Sequence, residues 1–199
     1  MKKLIDNIHN CNVCQEHLPH GCRPVLQVST KSKILIIGQA PGRKVHETGV
    51  PFDDKSGDNL RSWLGVSRDR FYNPDLFAIM PMGFCYPGTG KSGDLPPRPE
   101  CASEWHGKVL AKMKDIKLTL LVGQYAQNYY LQEKAKATLT ETVRNFEKYL
   151  PDYLPLPHPS PRNNIWMKRN EWFASETLPL LKELILSNLS SEDTKTPNF

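Results

Sequence analysis

Lys33-Ile34-Leu35-Ile36-Ile37-Gly38-Gln39-Ala40-Pro41-Gly42 is the stretch from which the architecture is read. Ile34 to Ile37 form a short apolar run with no polar alternation, the pattern of a strand covered on both faces. Gly38 ends the run, and the small residues after it make a tight loop at the strand's carboxyl end. Phe77-Ala78-Ile79-Met80 and Leu118-Thr119-Leu120-Leu121-Val122-Gly123 read the same way. Tyr153-Leu154-Pro155-Leu156-Pro157 carries two prolines that cannot donate to a ladder, so it is either an edge strand or no strand. Helical spacing lies between and after these runs: Leu60, Trp63 and Leu64; Trp105, Val109, Leu110 and Met113 after a Pro99-Glu100 start; and Gln124 to Gln132. A last helix is expected from about Trp172 to Leu186, locally disturbed by Pro179. Alternating strands and helices predict an α/β fold with a parallel or mixed sheet covered on both sides.

The 199 residues are 39% hydrophobic and 24% charged, enough for one core and against a disordered polymer. A single domain over residues 1–187 is expected, followed by a flexible polar tail over 188–199. No run approaches the roughly 20 apolar residues needed to span a bilayer. The start, Met1 to Asp6, lacks a signal-peptide apolar region, so the expected compartment is the cytoplasm and no membrane partner is expected. Nothing reads as an oligomerisation seam, which predicts a monomer. A formal net charge of +5 is compatible with a polyanionic partner such as nucleic acid.

Three segments carry chemistry. Gly38-Gln39-Ala40-Pro41-Gly42 lets a ligand approach the backbone at a strand end, although such loops are often only tight turns. His46-Glu47-Thr48-Gly49-Val50-Pro51-Phe52-Asp53-Asp54 places an aromatic in a proline-fixed turn, where it either stacks on a flat ring or anchors the loop to the core. His158-Pro159-Ser160-Pro161-Arg162-Asn163-Asn164 holds a histidine between prolines, able to aim a hydrogen bond at developing negative charge. Ser160, Arg162 and Asn163 beside it are phosphate-capable donors. Gly88-Thr89-Gly90-Lys91-Ser92 imitates the end of a phosphate-binding P-loop, but the first glycine of that motif falls at Cys85 and no helix can follow Gly93 and Pro96-Pro97.

Five cysteines in a reducing compartment, with an odd count, argue against disulfides. Cys11 and Cys14 form a C-x2-C pair, Cys22 follows, and Cys85 and Cys101 lie far downstream. Metal ligation is the leading reading for four of the five.

Together these segments resemble the uracil-DNA glycosylase superfamily, most closely its iron-sulfur branch. The likeness runs from Cys11 to about Leu181: a C-x2-C start, a GxAPG loop after the first strand, a G-x-P-F turn, a spaced cysteine pair around a proline-rich stretch, and an HPS motif before the last helix. The resemblance implies a three-layer α/β/α sandwich around a mostly parallel four-stranded sheet, with a DNA groove at the carboxyl ends of the strands. It implies a DNA glycosylase that flips a deaminated or damaged base, most readily uracil, out of DNA and hydrolyses its N-glycosidic bond. Phe52 would stack on the base, Gly38, Gln39, Ala40, Pro41 and Gly42 would line its pocket, and His158 would donate to its carbonyl. Ser160, Arg162, Asn163 and Trp166, with Ile165, would meet the duplex, an apolar wedge beside phosphate contacts. Cys11, Cys14, Cys85 and Cys101 would hold a [4Fe-4S] cluster. The alternative is a zinc site of Cys11, Cys14, His17 and His20.

Two departures bear on activity. Gln39 and Ala40 are neutral where relatives carry carboxylates, and the nearest replacement in sequence is Glu47, followed by His46 and Asp53. Pro81 falls where an asparagine would read the uracil edge. The alternatives are therefore a catalytically weak or inactive lesion-binding module of the same fold, or a hydrolase of free nucleosides.

Overall fold

The computed structural model describes residues 1–91 and 93–190. Strands β1 (Ile34–Ile37), β2 (Phe77–Ile79), β5 (Leu118–Val122) and β6 (Tyr153–Leu156) form one sheet in the order β2-β1-β5-β6, with every pairing parallel. A small antiparallel hairpin, β3 (Thr89–Gly90) and β4 (Gly93–Asp94), stands apart from it. The double-edged proline strand takes the edge position, where Pro155 pairs with Leu121 without having to donate outward. At the opposite edge, the Gln27 and Ile79 backbones exchange hydrogen bonds of 2.9 and 2.6 Å, which covers β2.

Strand periodicity divides the core in two. Ile34, Ile36, Phe77, Ile79, Leu118, Leu120 and Leu154 face one side, where they meet Leu60 and Leu64 of α3 (Lys55–Leu64), Phe71 of α4 (Arg68–Phe71), Val143 of α8 (Leu139–Arg144), and Leu181, Ile185 and Leu189 of α10 (Leu178–Ser190). Leu35, Ile37, Ala78 and Leu121 face the other side and meet Ile8 of α1 (Lys2–His9), Val109 of α6 (Gly107–Leu110), and Ala126 and Leu131 of α7 (Gln124–Leu131). Burial of each such side chain contributes roughly 1.5–3 kcal/mol, so both faces of the sheet must be covered. Two short helices, α2 (Arg43–Thr48) and α9 (Asn164–Arg169), follow the loops after β1 and β6.

The helix expected around Trp105 extends from α5 (Pro99–Cys101) through a π-helical stretch, Ala102–His106, into α6. The final helix starts where expected: Trp172 is already helical, and the local disturbance near Pro179 is a π-helical stretch, Phe173–Thr177, that leads without a break into α10. The helix continues to Ser190 and buries Leu189, so the packed chain extends past residue 187. The rest of the expected tail lies outside the described residues. No described helix is long and apolar enough to cross a membrane.

His106 ties the second core face to the loop after β2. Its Nε2 lies 3.1 Å from the Pro81 carbonyl and its Nδ1 2.7 Å from the Tyr130 hydroxyl. A carbonyl only accepts, so Nε2 carries the proton and Tyr130 donates to Nδ1. Burial pushes His106 down to about 4 from 6.5. The unfolded chain therefore takes up this proton first as pH falls. Stability from the neutral ring is complete above about pH 6.5 and is lost towards pH 4, roughly 3 kcal/mol in all. Urea unfolding as a function of pH should show this loss, and His106→Asn, which does not titrate, should lose less stability over the same pH range by that amount.

Candidate active site

Because all four strands run parallel, their carboxyl ends deliver four loops to one edge of the sheet. A cavity of about 400 Å³ opens there. Gly38, Gln39, Ala40, Pro41 and Gly42 line it from the β1 loop, Pro81 from the β2 loop, and His158, Ser160 and Arg162 from the β6 loop. Phe52, Asp54 and Ser56 complete one wall, and Gly93 and Asp94 of the hairpin another. Phe52 and His158, far apart in sequence, therefore share one cleft.

Phe52 has φ +54, a conformation that an L residue rarely adopts. It sits third in a turn, Val50 to Asp53, closed by Asp53 N–H to the Val50 carbonyl at 3.3 Å, with proline second. Glycine is the usual occupant of such a position. Three contacts hold the phenylalanine there. Arg61 Nη1 donates to the Phe52 carbonyl at 3.3 Å, the Tyr72 hydroxyl donates to the Pro51 carbonyl at 3.0 Å, and Gly57 approaches so closely that a Cβ on it would lie 1.8 Å from the Phe52 oxygen. Arg61 is itself seated over the Phe71 and Tyr72 rings. The Phe52 ring is thereby carried to Gly38, where a Cβ would stand 3.3 Å from its Cζ. It makes an edge contact with Phe71 and still lines the cleft.

His158 is fixed from the other side. Asn163 donates through its side chain to the His158 carbonyl at 2.7 Å, and Asn59 donates to the Pro159 carbonyl at 2.8 Å. The Ser160 backbone N–H donates to His158 Nδ1 at 3.2 Å, so the neutral ring carries its proton on Nε2. Burial lowers the His158 pKa from its usual value, while the charges of Asp54 and Asp94 pull the other way. The outcome is a neutral imidazole whose one donor is free for a ligand. Beneath it, Gln127 donates to the Leu156 and Leu121 carbonyls at 2.8 and 3.2 Å, and Gly123 turns the chain with φ +86, where a Cβ would stand 3.7 Å from the His158 Cβ. Sequence reading missed Asn59, Gln127 and Gly57. No local signal marks the first two, because their partners lie 100 and 29 residues away.

The other site expectations divide. Glu47 is not among the cleft-lining residues. Its side chain is 59% exposed and ion-paired with Arg43 one helical turn back, because α2 turns that face outward. Asp53 pairs with Arg68 at 2.8 Å, which holds its carboxyl below the usual range. His46 packs against Tyr86 and His20, with burial lowering its pKa. Asn163 is used internally, as described. Trp166 donates to Thr140 at 2.9 Å and makes edge contacts with Trp172 and Phe173, so it is a packing residue of the final helical layer. Ile165 beside it is 65% exposed and is the apolar side chain that projects from this loop.

The cysteines also converge. Cys11, Cys14, Cys22, Cys85 and Cys101 line one small chamber with Leu18, Pro24, Phe84, Arg98 and Trp105. Burial pushes the Cys85 thiol up to about 12 and that of Cys101 up to about 11. His17 and His20, needed for the zinc alternative, do not line it, and His20 stacks on Tyr86. Among the described residues, no three His, Cys, Asp or Glu side chains are gathered as a single metal ion requires.

The fold is a parallel α/β sheet with a cleft at its carboxyl edge that Phe52 and His158 both line. The family model described as Uracil DNA glycosylase superfamily matches residues 26–182, and the chain belongs to that superfamily. The matched stretch includes both cleft loops, the hairpin, Cys85 and Cys101, and begins after Cys11, Cys14 and Cys22.

The turn that presents Phe52 depends on a bare Cα at residue 57. Gly57→Ala should therefore destabilise the protein by more than about 2 kcal/mol in urea unfolding. Gly107→Ala, where a Cβ meets open space, should not destabilise it.

Proposed function

We propose that the protein is a DNA glycosylase that takes an extruded, deaminated or damaged base into the 400 Å³ cleft and hydrolyses its N-glycosidic bond. The observation that supports this reading is the convergence of Phe52 and His158 on one cavity. The Phe52 ring offers a stacking face, and the neutral His158 offers Nε2–H to a base carbonyl as electrons enter the leaving ring. Breaking the C1′–N bond leaves positive charge on the sugar, and water adds to that carbon. Extrusion costs a few kcal/mol, least for a mispaired or damaged base, and this cost contributes selectivity. Arg162 at the cleft wall and the exposed Ile165 suit a phosphate contact and a wedge. Pro81 presents no side-chain amide to a base edge, so uracil is one member of the substrate class and not its defined limit.

The thiol chamber fits a [4Fe-4S] cluster held by Cys11, Cys14, Cys85 and Cys101. Its donors would all be soft sulfur, apolar Leu18, Pro24, Phe84 and Trp105 line it beside Arg98, and burial raises the Cys85 and Cys101 thiols, which a bound cation would help to ionise. Such a group would supply a structural tie between the N-terminal segment and the Cys85–Cys101 loop. Protein purified without oxygen should show broad visible absorbance and about four irons per chain. Protein with one zinc and no visible colour would overturn the assignment.

Oligonucleotides carrying single uracil, hypoxanthine or xanthine residues test the activity through alkali-labile strand breaks. Wild type should cleave at least one of them, and His158→Ala should lower the single-turnover rate by roughly 100-fold or more. DNA binding by wild type with no abasic sites across the panel would favour the lesion-binding alternative. Cleavage of free nucleosides with affinity indifferent to salt would favour the nucleoside hydrolase.

A further inference from the structure

We propose that Asp94, carried to the cleft by the β3–β4 hairpin, is the carboxylate that assists hydrolysis. It faces the charge on the sugar and accepts the proton of the attacking water. The inference rests on the glycosylase reading above and gives that reaction the carboxylate it otherwise lacks.

A sugar cation formed in a partly desolvated cleft requires a nearby negative charge. Gln39 and Ala40 are neutral, Glu47 is paired outside with Arg43, and Asp53 is paired with Arg68. Among the described residues, two carboxylates line the cavity, Asp54 and Asp94. Asp54 caps α3, accepting the Gly57 N–H at 2.9 Å, and so belongs to the support of the Phe52 turn. Asp94 has no such duty. Its Oδ2 lies 3.4 Å from the point a Cβ on Gly42 would occupy, so the carboxylate reaches from the hairpin across to the β1 loop.

The carboxylate is also aimed. Thr89 Oγ1 lies 3.4 Å from Asp94 Oδ1 and 2.5 Å from the Tyr86 hydroxyl. Asp94 can only accept, so Thr89 donates to it and Tyr86 donates to Thr89. Tyr86 is almost wholly buried, which roots this chain of hydrogen bonds in the core. The hairpin is closed by Leu95 N–H to the Gly88 carbonyl at 2.9 Å. Arg162, from the His158 loop, rests on Gly93, with Nη1 2.7 Å from where a Cβ would be. Asp94 is thus held by Tyr86 and Thr89 on one side and braced through Gly93 against the loop that carries His158.

In the reaction, His158 Nε2–H hydrogen-bonds to the base carbonyl while the C1′–N bond breaks and its electron pair stays with the base. Water oxygen bonds to C1′, and one water proton passes to Asp94 Oδ2 and then to solvent. The departing base takes up a proton from solvent. The products are the free base and an abasic sugar, and no oxidant or nucleotide is required.

The test uses the full-length protein and the lesion oligonucleotide that wild type cleaves fastest. Asp94→Asn should lower the single-turnover rate by roughly 100-fold. Its melting temperature should be unchanged, because the carboxylate is exposed, and its affinity for the same DNA should stay within about threefold. Added formate should restore much of the rate to Asp94→Ala and none to His158→Ala, an effect a structural role cannot produce. Thr89→Val should lose roughly tenfold and Thr89→Ser should recover it. Glu47→Gln should retain the wild-type rate. If Asp94→Asn cleaves within about threefold of wild type, the inference falls while the glycosylase reading stands. A rate loss confined to Asp54→Asn at unchanged stability would assign the role to Asp54 and likewise overturn it. Wild type inert on every lesion would remove the underlying reading itself.

Discussion

The cleft depends on a close contact between the Phe52 carbonyl and the bare Cα of Gly57. A phenylalanine in a left-handed conformation is strained, by about 1–3 kcal/mol for such residues generally, and persists only when its surroundings over-determine it. Arg61 and Tyr72 hold the two carbonyls of the Pro51-Phe52 unit, and α3 starts directly beneath them, capped by Asp54. Arg61 is in turn held over two rings of the first core face. The energy of that core is thereby spent on one backbone geometry. Without it, the Phe52 ring would not lie against Gly38, and the cleft that His158 also lines would lose its aromatic wall.

The His158 side is built differently. No strained residue is needed, because prolines restrict the loop and side-chain amides finish the work. Asn163 and Asn59 bind the loop's own carbonyls, and Gln127 satisfies the strand end below. A stiff loop loses little entropy when it folds, so its donors can be fixed at low cost. One wall is therefore held by stored strain and the other by stiffness. Between them, the hairpin with Asp94 is the least embedded part of the cleft, joined to the rest by Tyr86, Thr89 and Arg162.

The thiol chamber lies on the same connecting segment. Cys85 precedes Tyr86, and the Cys85–Cys101 stretch contains the hairpin. A tie among the cysteines would restrain both ends of the segment that brings Asp94 to the cleft. Arg98 lines the chamber and ion-pairs with Glu100, so the chamber wall carries a cation beside its sulfur atoms.

Much of this was legible in the chain. Unbroken apolar runs such as Ile34–Ile37 show burial on both faces, Pro155 and Pro157 limit the fourth run to an edge strand or no strand, and a parallel sheet then places the loops after β1 and β6 together. Those signals are local, set by periodicity and by the missing N–H of proline. The use of each polar residue was not legible, because it depends on partners distant in sequence. Glu47 and Asp94 are both loop-region carboxylates by composition, yet helical rotation sends one to Arg43 in solvent and hairpin pairing carries the other to Gly42. Trp166 and Ile165 are adjacent, and only packing against Trp172 and Phe173 decides which one is half-buried and which projects. The sequence by itself determined the elements and the edge where they converge. The tertiary structure decided which side chains face one another there, since a hydrogen bond or a steric contact is defined by separation in space.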